Sequence, residues 1–420
     1  MKRTRLLVVF ALIAALAGSA AAHAKLIVGV NDDAKLESTF STFFMPTMQA
    51  LGLKMNALTV RWDETQAAPI DPILQSNIES VIASASAAGV TVELDLYPLH
   101  SQVFTGGSRC PTPVNPTACG DTAKIQAFAT WTAQIARIFP SVHQFIVLNE
   151  CNQPRFLNPQ WDTGGKNQSA AICGRALAAS YDALKAVSSS NFIWGVGLSP
   201  RGNDKPNAPS NSSTSPVRFL GYMGAWFKAF ATKTGRTAPL MDGFDFHPYP
   251  VPQSLKFATG YPTKTSASVA NLPRIYQAFY DGFNGSPQRT IGQQRGGRLP
   301  VSLNEMGIQT AAGARAGYAG LEVSDNSAGG MVGAFGTEEY QATYYKQMLD
   351  LLACDPNVRV LNFFHLVDEP DLAGWQSGLY WFADPTPLAK QSATTVQGWL
   401  ASTHGSCPGT VTPWRPTAPK

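Results

Sequence analysis

The sequence predicts a single-domain α/β protein folded as a (β/α)8 TIM barrel. Eight short apolar runs of strand type recur along the chain, and segments of helix length separate most of them. With 420 residues, 44% of them hydrophobic, the chain can bury one large core. The rival architecture, a doubly wound open sheet, normally has a glycine-rich phosphate turn after its first strand, and Gly29-Val30-Asn31-Asp32 is not one.

The predicted strands are short and rich in β-branched and aromatic residues, as buried parallel strands are. In chain order they are residues 25–30, 55–61, 90–96, 144–148, 192–198, 243–246, 299–303 and 358–364. Parallel neighbours need a crossover between them, so intervening helices are expected.

Helices are predicted at residues 70–88, 121–138, 171–188, 217–232, 271–283, 338–352 and 392–402. Asp71-Pro72 and Thr337 are residue types that begin helices, and Gly89 is typical of a position just past a helix end.

Residues 1–24 resemble a signal peptide. Lys2, Arg3 and Arg5 precede an apolar stretch at 6–16, and Ala22-His23-Ala24 ends the leader with small residues at the cleavage positions. A membrane anchor is the alternative, but the apolar stretch is shorter than the ~20 residues that span a bilayer. We expect an exported protein with a catalytic domain at 25–403 and a loosely ordered tail at 404–420.

The charge balance excludes several partners. The net charge is +4, and three positive charges lie in the leader, so neither nucleic acid nor an anionic membrane is expected to bind. Six histidines without a cluster, and no Cys-x-x-Cys step, argue against a metal. We expect a monomer that needs no metal and no cofactor.

All six cysteines follow the leader, an even number that suits disulfides in an oxidising compartment. Six cysteines allow 15 connectivities, so spacing only suggests a choice. The expected pairs are Cys110–Cys119, Cys151–Cys173 and Cys354–Cys407.

Polar side chains follow nearly every predicted strand, at the end where (β/α)8 barrels build active sites. They are Asn31, Asp32, Arg61, Tyr97, His100, Asn149, Glu150, His247, Tyr249, Glu305, His365 and Asp368. Glu150 and Glu305 stand out because each ends an apolar run, where carboxylates are rare. Glycoside hydrolysis requires such a pair, one carboxyl group as proton donor and the other as nucleophile or base.

Four motifs, in the right order on the right strands, give the mature chain a resemblance to clan A glycoside hydrolases near families 5 and 39. They are Arg61 on strand two, Asn149-Glu150 on strand four, His247-Pro248-Tyr249 after strand six and Asn304-Glu305 on strand seven. The resemblance implies a retaining mechanism, with Glu150 as general acid/base and Glu305 as nucleophile.

The residue types fit these roles. Arg61 and the Tyr249 hydroxyl would favour the charged form of Glu305. Glu150, beside that charge in a partly dry pocket, would keep its proton for the leaving group. Asn149 would bind the sugar 2-hydroxyl. Two structural alternatives remain open: His247 as a core histidine, and Arg61 in an ion pair with an acid of the neighbouring strands or loops, namely Asp63, Glu64 or Asp95.

The chain departs from the clan at strand eight, where the clan carries a tryptophan. Here the strand ends Asn362-Phe363-Phe364-His365, and Trp375 follows ten residues later. Either Trp375 returns to the sugar site, or Phe364 or His365 forms the platform.

The expected activity is that of a secreted retaining β-glycosidase acting on a poly- or oligosaccharide, of endo-β-glucanase or mannanase type. The alternatives are an exo-acting β-glycosidase such as a β-xylosidase, and a non-catalytic barrel that binds glycan.

Overall fold

The computed structural model describes residues 25–105, 119–208, 212–251, 253–292, 298–310, 336–371 and 374–417. Within these ranges, eight parallel strands form a closed barrel in chain order, and the last strand pairs with the first. The predicted (β/α)8 TIM barrel is therefore confirmed. Residues 1–24 lie outside the described residues, so the signal peptide stays a prediction.

All eight predicted strands are present, and β5, β6 and β8 have the predicted bounds. The barrel strands are β1 Ile27–Asp32, β2 Met55–Trp62, β3 Thr91–Pro98, β4 Gln144–Asn149, β5 Phe192–Leu198, β6 Gly243–Phe246, β7 Val301–Met306 and β8 Val358–Phe364. After β8, the short strands β9 (Tyr380–Trp381) and β10 (Leu388–Ala389) form an antiparallel pair outside the barrel.

The described helices surround the barrel. They are α1 Ala34–Thr39, α2 Ser41–Leu51, α3 Pro72–Ala88, α4 Thr122–Ile138, α5 Ser169–Val187, α6 Pro216–Thr234, α7 Leu272–Phe283, α8 Glu338–Ala353 and α9 Gln391–Thr403. None of the helices in the described ranges is both long enough and apolar enough to cross a membrane.

The sequence does not predict α1 and α2, between β1 and β2. Their Ser, Thr and Phe content favours helix only weakly, and Pro46 lies inside α2. The start of α1 is nevertheless well capped, because the Asp33 carboxylate accepts hydrogen bonds from the backbone N–H groups of Lys35 and Leu36.

The predicted ends of other helices are confirmed. The Asp71 carboxylate caps α3 through two backbone N–H groups, at 2.9 and 3.0 Å. The Thr337 hydroxyl oxygen accepts from the N–H of Tyr340 at 3.1 Å and caps α8. Gly89, with φ of 66°, ends α3 in the left-handed conformation that glycine tolerates best.

The lumen of the barrel is layered. One layer is apolar and joins side chains from β2, β4, β5 and β8: Met55, Ala57, Ile146, Trp194 and Val360. Nearer the carboxyl ends of the strands, Asn362 Nδ2 donates to Glu93 Oε1 at 2.8 Å and to Asn304 Oδ1 at 2.9 Å. Because β3 and β8 are not neighbours, the first of these bonds crosses the lumen. A buried polar layer therefore lies directly beneath the mouth of the barrel.

Two of the expected disulfides are present. Cys151–Cys173 and Cys354–Cys407 have Cα–Cα distances of 6.2 and 4.5 Å. Cys110 lies outside the described residues, so its pairing with Cys119 stays a prediction. The two bridges suit an oxidising compartment.

The segment after α9 is attached to the barrel. Cys407 is bonded to Cys354 at the end of α8, and the half-buried Trp414 ring lies edge-on to Tyr276 of α7, with centroids 5.6 Å apart. A disulfide and an aromatic contact thus connect this segment to the barrel at two points, and the expected loose order of the tail stays a prediction.

Candidate active site

Glu150, His247 and Glu305 meet at the carboxyl ends of the strands. Glu305 lies on β7, whereas Glu150 and His247 directly follow β4 and β6. One oxygen of each carboxylate and one His247 ring nitrogen all lie within 4.8 Å of one another. The two glutamate side chains keep 15% and 14% of their surface exposed, so a ligand can reach them.

The backbone at the end of β4 is strained. Leu148 has φ of 71° and Glu150 has φ of 38°, values that are uncommon for residues other than glycine. The neighbouring strand supports this conformation, because the Glu150 N–H donates to the Gly197 carbonyl at 2.8 Å. Such strain typically costs about 1–3 kcal/mol per residue and collects at functional sites. Here the strained residues include Glu150, whose carboxylate lies beside His247 and Glu305.

His247 is the central cation of the site. Its ring is fully buried, with Nδ1 3.2 Å from Glu150 Oε1 and 3.5 Å from Glu305 Oε2. Its Nε2 lies 3.3 Å from Asp245 Oδ2. Burial by itself lowers the pKa of His247, but the surrounding carboxylates of Glu305, Asp245 and Glu150 together raise that pKa well above its ordinary value. An imidazolium is therefore expected at neutral pH.

Tyr249 and Glu305 make the hydrogen bond that the sequence predicts. The Tyr249 hydroxyl donates to Glu305 Oε2 at 3.1 Å. Burial raises the pKa of Glu305, and the neighbouring Glu150 carboxylate adds to the rise, whereas the His247 charge and the Tyr249 hydrogen bond lower it. The net direction is upward, so Glu305 retains its proton more readily than an isolated carboxylate does.

Arg61 does not take the position expected of it. It is exposed at the end of β2, beside Tyr97 of β3 in the strand register. Among the described residues, its guanidinium forms no ion pair with Glu305. His247, not Arg61, is the basic side chain within ion-pair distance of Glu305 among the described residues. Contact between Arg61 and substrate stays a prediction.

Asn149 lies immediately before Glu150 and is buried. Its side-chain oxygen Oδ1 has no hydrogen-bond partner within the described part of the chain. A buried acceptor without a partner is costly, so this oxygen is suited to a donor from a bound molecule. Its expected contact with a sugar stays a prediction.

Trp375 returns to the site from the loop after β8. Its half-buried ring lies 5.1 Å from that of Tyr249 and 5.5 Å from that of Phe364. His365, the other alternative, is directed elsewhere, since its Nδ1 lies 2.8 Å from the carbonyl oxygen of Asn31. Trp375 and Phe364 therefore form an aromatic wall next to the residue that binds Glu305.

A buried ion pair anchors the Trp375 loop. Lys390 Nζ donates to Asp368 Oδ1 at 2.7 Å and to the Gln376 carbonyl at 3.2 Å, and both charged side chains are fully buried. Asp368 also accepts from the N–H of Gly378 at 2.8 Å. Removing one partner of such a pair typically costs about 3–5 kcal/mol. The pair therefore fixes the backbone at Gln376 and Gly378, directly after Trp375.

In the part of the chain that the structure describes, two groups of acidic and histidine atoms are spaced closely enough to share a metal ion. They are the site itself and the group of Asp63, Glu64 and His100. In the second group, His100 Nδ1 lies 3.0 Å from Glu64 Oε2, and Asp63 binds the hydroxyl and N–H of Thr65. Both groups are held by internal contacts of their own, and we assign a metal to neither.

Two buried acids of β3, Glu93 and Asp95, lie beneath the mouth at lumen positions that the sequence did not predict. Burial and the nearby Asp245 raise the pKa of Glu93 to about 8, and burial together with Glu305 raises that of Asp95 well above its ordinary value. The available signal was the alternation in Val-Glu-Leu-Asp-Leu on β3 and Phe-Asp-Phe-His on β6, which places every second side chain in the lumen.

No protein-family model and no curated protein matches the chain. Solved structures share its fold. The structure of a family 39 glycoside hydrolase from the gut symbiont Bacteroides cellulosilyticus WH2 has 15% identity and a TM-score of 0.52, over 90% of this chain and 63% of that one. A monomeric β-xylosidase from Caulobacter crescentus CB15 has 15% identity and a TM-score of 0.51, over 90% and 68%. GH5_18 from Streptomyces cattleya, in complex with GlcNAc, has 14% identity and a TM-score of 0.52, over 90% and 80%.

The fold and the site thus define a (β/α)8 barrel with a carboxylate pair at its carboxyl-terminal face. The chain has the fold of clan A glycoside hydrolases, as the resemblance implies. It spans less than two thirds of the length of the family 39 structure, and at these identities the likeness establishes the fold.

The Cys151–Cys173 bridge bears on the site, because Cys151 directly follows Glu150 and Cys173 lies on α5. In the chain-entropy model, loops of 22 and 53 residues give roughly 3 and 4 kcal/mol of stabilisation. We expect the Cys151→Ser, Cys173→Ser variant to lose more activity than the Cys354→Ser, Cys407→Ser variant, although its melting temperature falls no further. Thermal unfolding and kcat/KM of both variants check this. Equal losses of activity would show that the first bridge does not position Glu150.

Proposed function

We propose that the protein is a secreted retaining β-glycosidase that hydrolyses O-glycosidic bonds of a poly- or oligosaccharide by double displacement. The proposal is carried by the separation of the two carboxylates, whose nearest oxygens lie within 4.8 Å. Retaining enzymes hold their carboxyl groups ~5–5.5 Å apart, whereas inverting enzymes leave ~6.5–9.5 Å for a water molecule.

In the first step, a Glu305 oxygen attacks the anomeric carbon while the bond to the leaving oxygen breaks, and Glu150 gives its proton to that oxygen. The Tyr249 hydrogen bond and the His247 charge favour the anionic form of Glu305 against the effect of burial. In the second step, water gives a proton to Glu150 and its oxygen bonds to the anomeric carbon, which releases the Glu305 carboxylate.

The surroundings of the pair support a sugar as substrate. Trp375 and Phe364 offer apolar ring faces, and Asn149 offers an oxygen that no other described residue binds. Exposed Arg61 adds donors at the rim of the mouth. Such a mixture of aromatic faces and a few polar groups is typical of carbohydrate sites.

Within this class, we propose endo action on a β-glucan or β-mannan. An exo-acting β-glycosidase is the alternative, and the similarity to the structure of a monomeric β-xylosidase favours it as the second candidate. Export is supported by the two disulfides and by the leader-like residues at 1–24.

The test is hydrolysis by the mature protein of aryl β-glucosides, β-mannosides and β-xylosides, and of β-glucan and β-mannan polymers. Proton NMR during the first turnovers should show the β-anomer as the initial product. A Glu150→Gln, Glu305→Gln double variant is the matched control for contaminating activity. An initial α-anomer would exclude retention, and binding of a polymer without hydrolysis would identify a non-catalytic barrel.

A further inference from the structure

Asp245 lies on β6 in the buried lumen, and Phe246 separates it from His247 along the chain. Its Oδ1 accepts a hydrogen bond from the backbone N–H of Asn304, the residue before Glu305, at 3.0 Å. Its Oδ2 lies 3.3 Å from His247 Nε2, an ion-pair distance without hydrogen-bond alignment. Both side chains are fully buried. Asp245 thus contacts the two elements that carry His247 and Glu305, but neither catalytic carboxylate directly.

A glycine on the neighbouring strand makes room for this pair. A Cβ atom at Gly197 of β5 would lie 2.3 Å from His247 Nε2 and 2.8 Å from Asp245 Oδ2. No side-chain carbon can occupy that position, because real Cβ contacts do not come so close. The absence of a side chain at residue 197 is therefore a condition for the Asp245–His247 pair.

Acids approach His247 from four strands of the barrel, whereas β5 presents only Gly197. Glu150 approaches from the end of β4 and Glu305 from β7, both at Nδ1. Asp95 approaches from β3, and Asp245 lies at Nε2 on β6 itself. The Tyr249 hydroxyl does not bind the ring itself but donates a hydrogen bond to Glu305. One buried ring thus balances several acids, and its charge determines how many of them can be ionised at once.

We propose that Asp245 is a positioning residue that acts through His247. Its carboxylate holds the ring with Nδ1 toward Glu150 and Glu305 and keeps it positively charged, so that the two glutamates share a single proton in the free enzyme. The catalytic consequence rests on the proposed glycosidase function, whereas the charge on the ring does not.

The sign of the pH effect follows from the geometry. A histidine whose pKa is raised in the fold stays charged as pH rises until that raised pKa is passed. Removing the Asp245 charge takes away one of the groups that raise the pKa of His247. The imidazolium should then be lost at lower pH, and with it the positive charge that favours the anionic form of Glu305.

The experiment compares wild-type protein with Asp245→Asn, which is isosteric and keeps an oxygen for the N–H of Asn304. With ¹⁵N-histidine labelling and a His247→Gln variant for assignment, the ring of His247 should titrate at least about one pH unit lower in Asp245→Asn. The alkaline limb of kcat/KM should move down by a similar amount. Asp242→Asn, just before the same strand, should lower stability without moving that limb.

Several results would overturn the proposal. An unchanged His247 titration in Asp245→Asn would do so. A neutral His247 ring in the wild-type protein at pH 7 would also do so, and that measurement does not depend on the folding of any variant. Gly197→Ala should shift the ring signal in the same direction, by displacing the ring from Asp245. If the ring titrates as expected but the wild-type protein hydrolyses no glycoside, the pairing holds and the proposed function fails.

Discussion

Glu305→Ala should lower kcat by several orders of magnitude, and azide should restore turnover of an activated aryl β-glycoside. The variant lacks the oxygen that attacks the anomeric carbon, and the space that it leaves admits a small anion. Azide would bond to the sugar from the face that Glu305 occupied, giving an α-glycosyl azide, inverted relative to the substrate. Loss of aryl alcohol release, and NMR of the azide product, measure the two effects.

Glu64→Ala is the matched control for this variant, because Glu64 is an acid on the same face of the barrel that binds only His100 among the described residues. Activity should survive that change. Labelling of the wild-type protein by a mechanism-based fluorosugar should modify Glu305, and modification of another carboxylate would reject the assignment.

Glu150→Ala should act selectively. Substrates with poor leaving groups need protonation of the departing oxygen, so their hydrolysis should slow by ~10²–10⁴-fold, the usual contribution of one proton-transfer catalyst. Aryl glycosides with good leaving groups should lose far less in their first step. A plot of log kcat/KM against leaving-group pKa, steeper for the variant than for wild type, measures the difference.

Azide again distinguishes the two glutamates. In Glu150→Ala, it should attack the glycosyl-enzyme formed on Glu305 and give a β-glycosyl azide, with retained configuration. Equal losses with good and poor leaving groups, or an α-azide from this variant, would assign Glu150 some other part in the reaction.

The sequence was sufficient to place the main site residues together, because the carboxyl ends of parallel strands meet at one end of a barrel whatever the loops do. Glu150, His247 and Glu305 each follow or end a short apolar run, and they converge as expected. The hydrogen bond from Tyr249 to Glu305 was equally accessible, since the tyrosine lies two residues past His247.

The charge partner of Glu305 was not accessible in the same way. Arg61 and His247 both stand at strand ends, and strand position does not determine which side chain turns toward Glu305. That choice depends on the missing side chain at Gly197 and on the carboxylate of Asp245, both buried in the lumen. Helix α2 was missed for a different reason, since packing outweighs the weak helix preference of its residues and Pro46.

Glu93 and Asp95 in the lumen bind protons more tightly in the folded chain than in the unfolded chain, so folding is coupled to proton uptake. In an unfolded chain, Glu93 titrates near 4.5, but in the barrel its pKa is about 8, and that of Asp95 is also raised. At neutral pH, the chain therefore takes up protons from solvent as the barrel closes. Acid therefore favours the folded state. Between about pH 4.5 and about pH 8, each rise in pH lowers the free energy of unfolding, because the folded chain must then hold or lose a proton that the unfolded chain has already released. The buried acids beneath the mouth thus make the stability of the fold depend on the acidity of the surrounding medium.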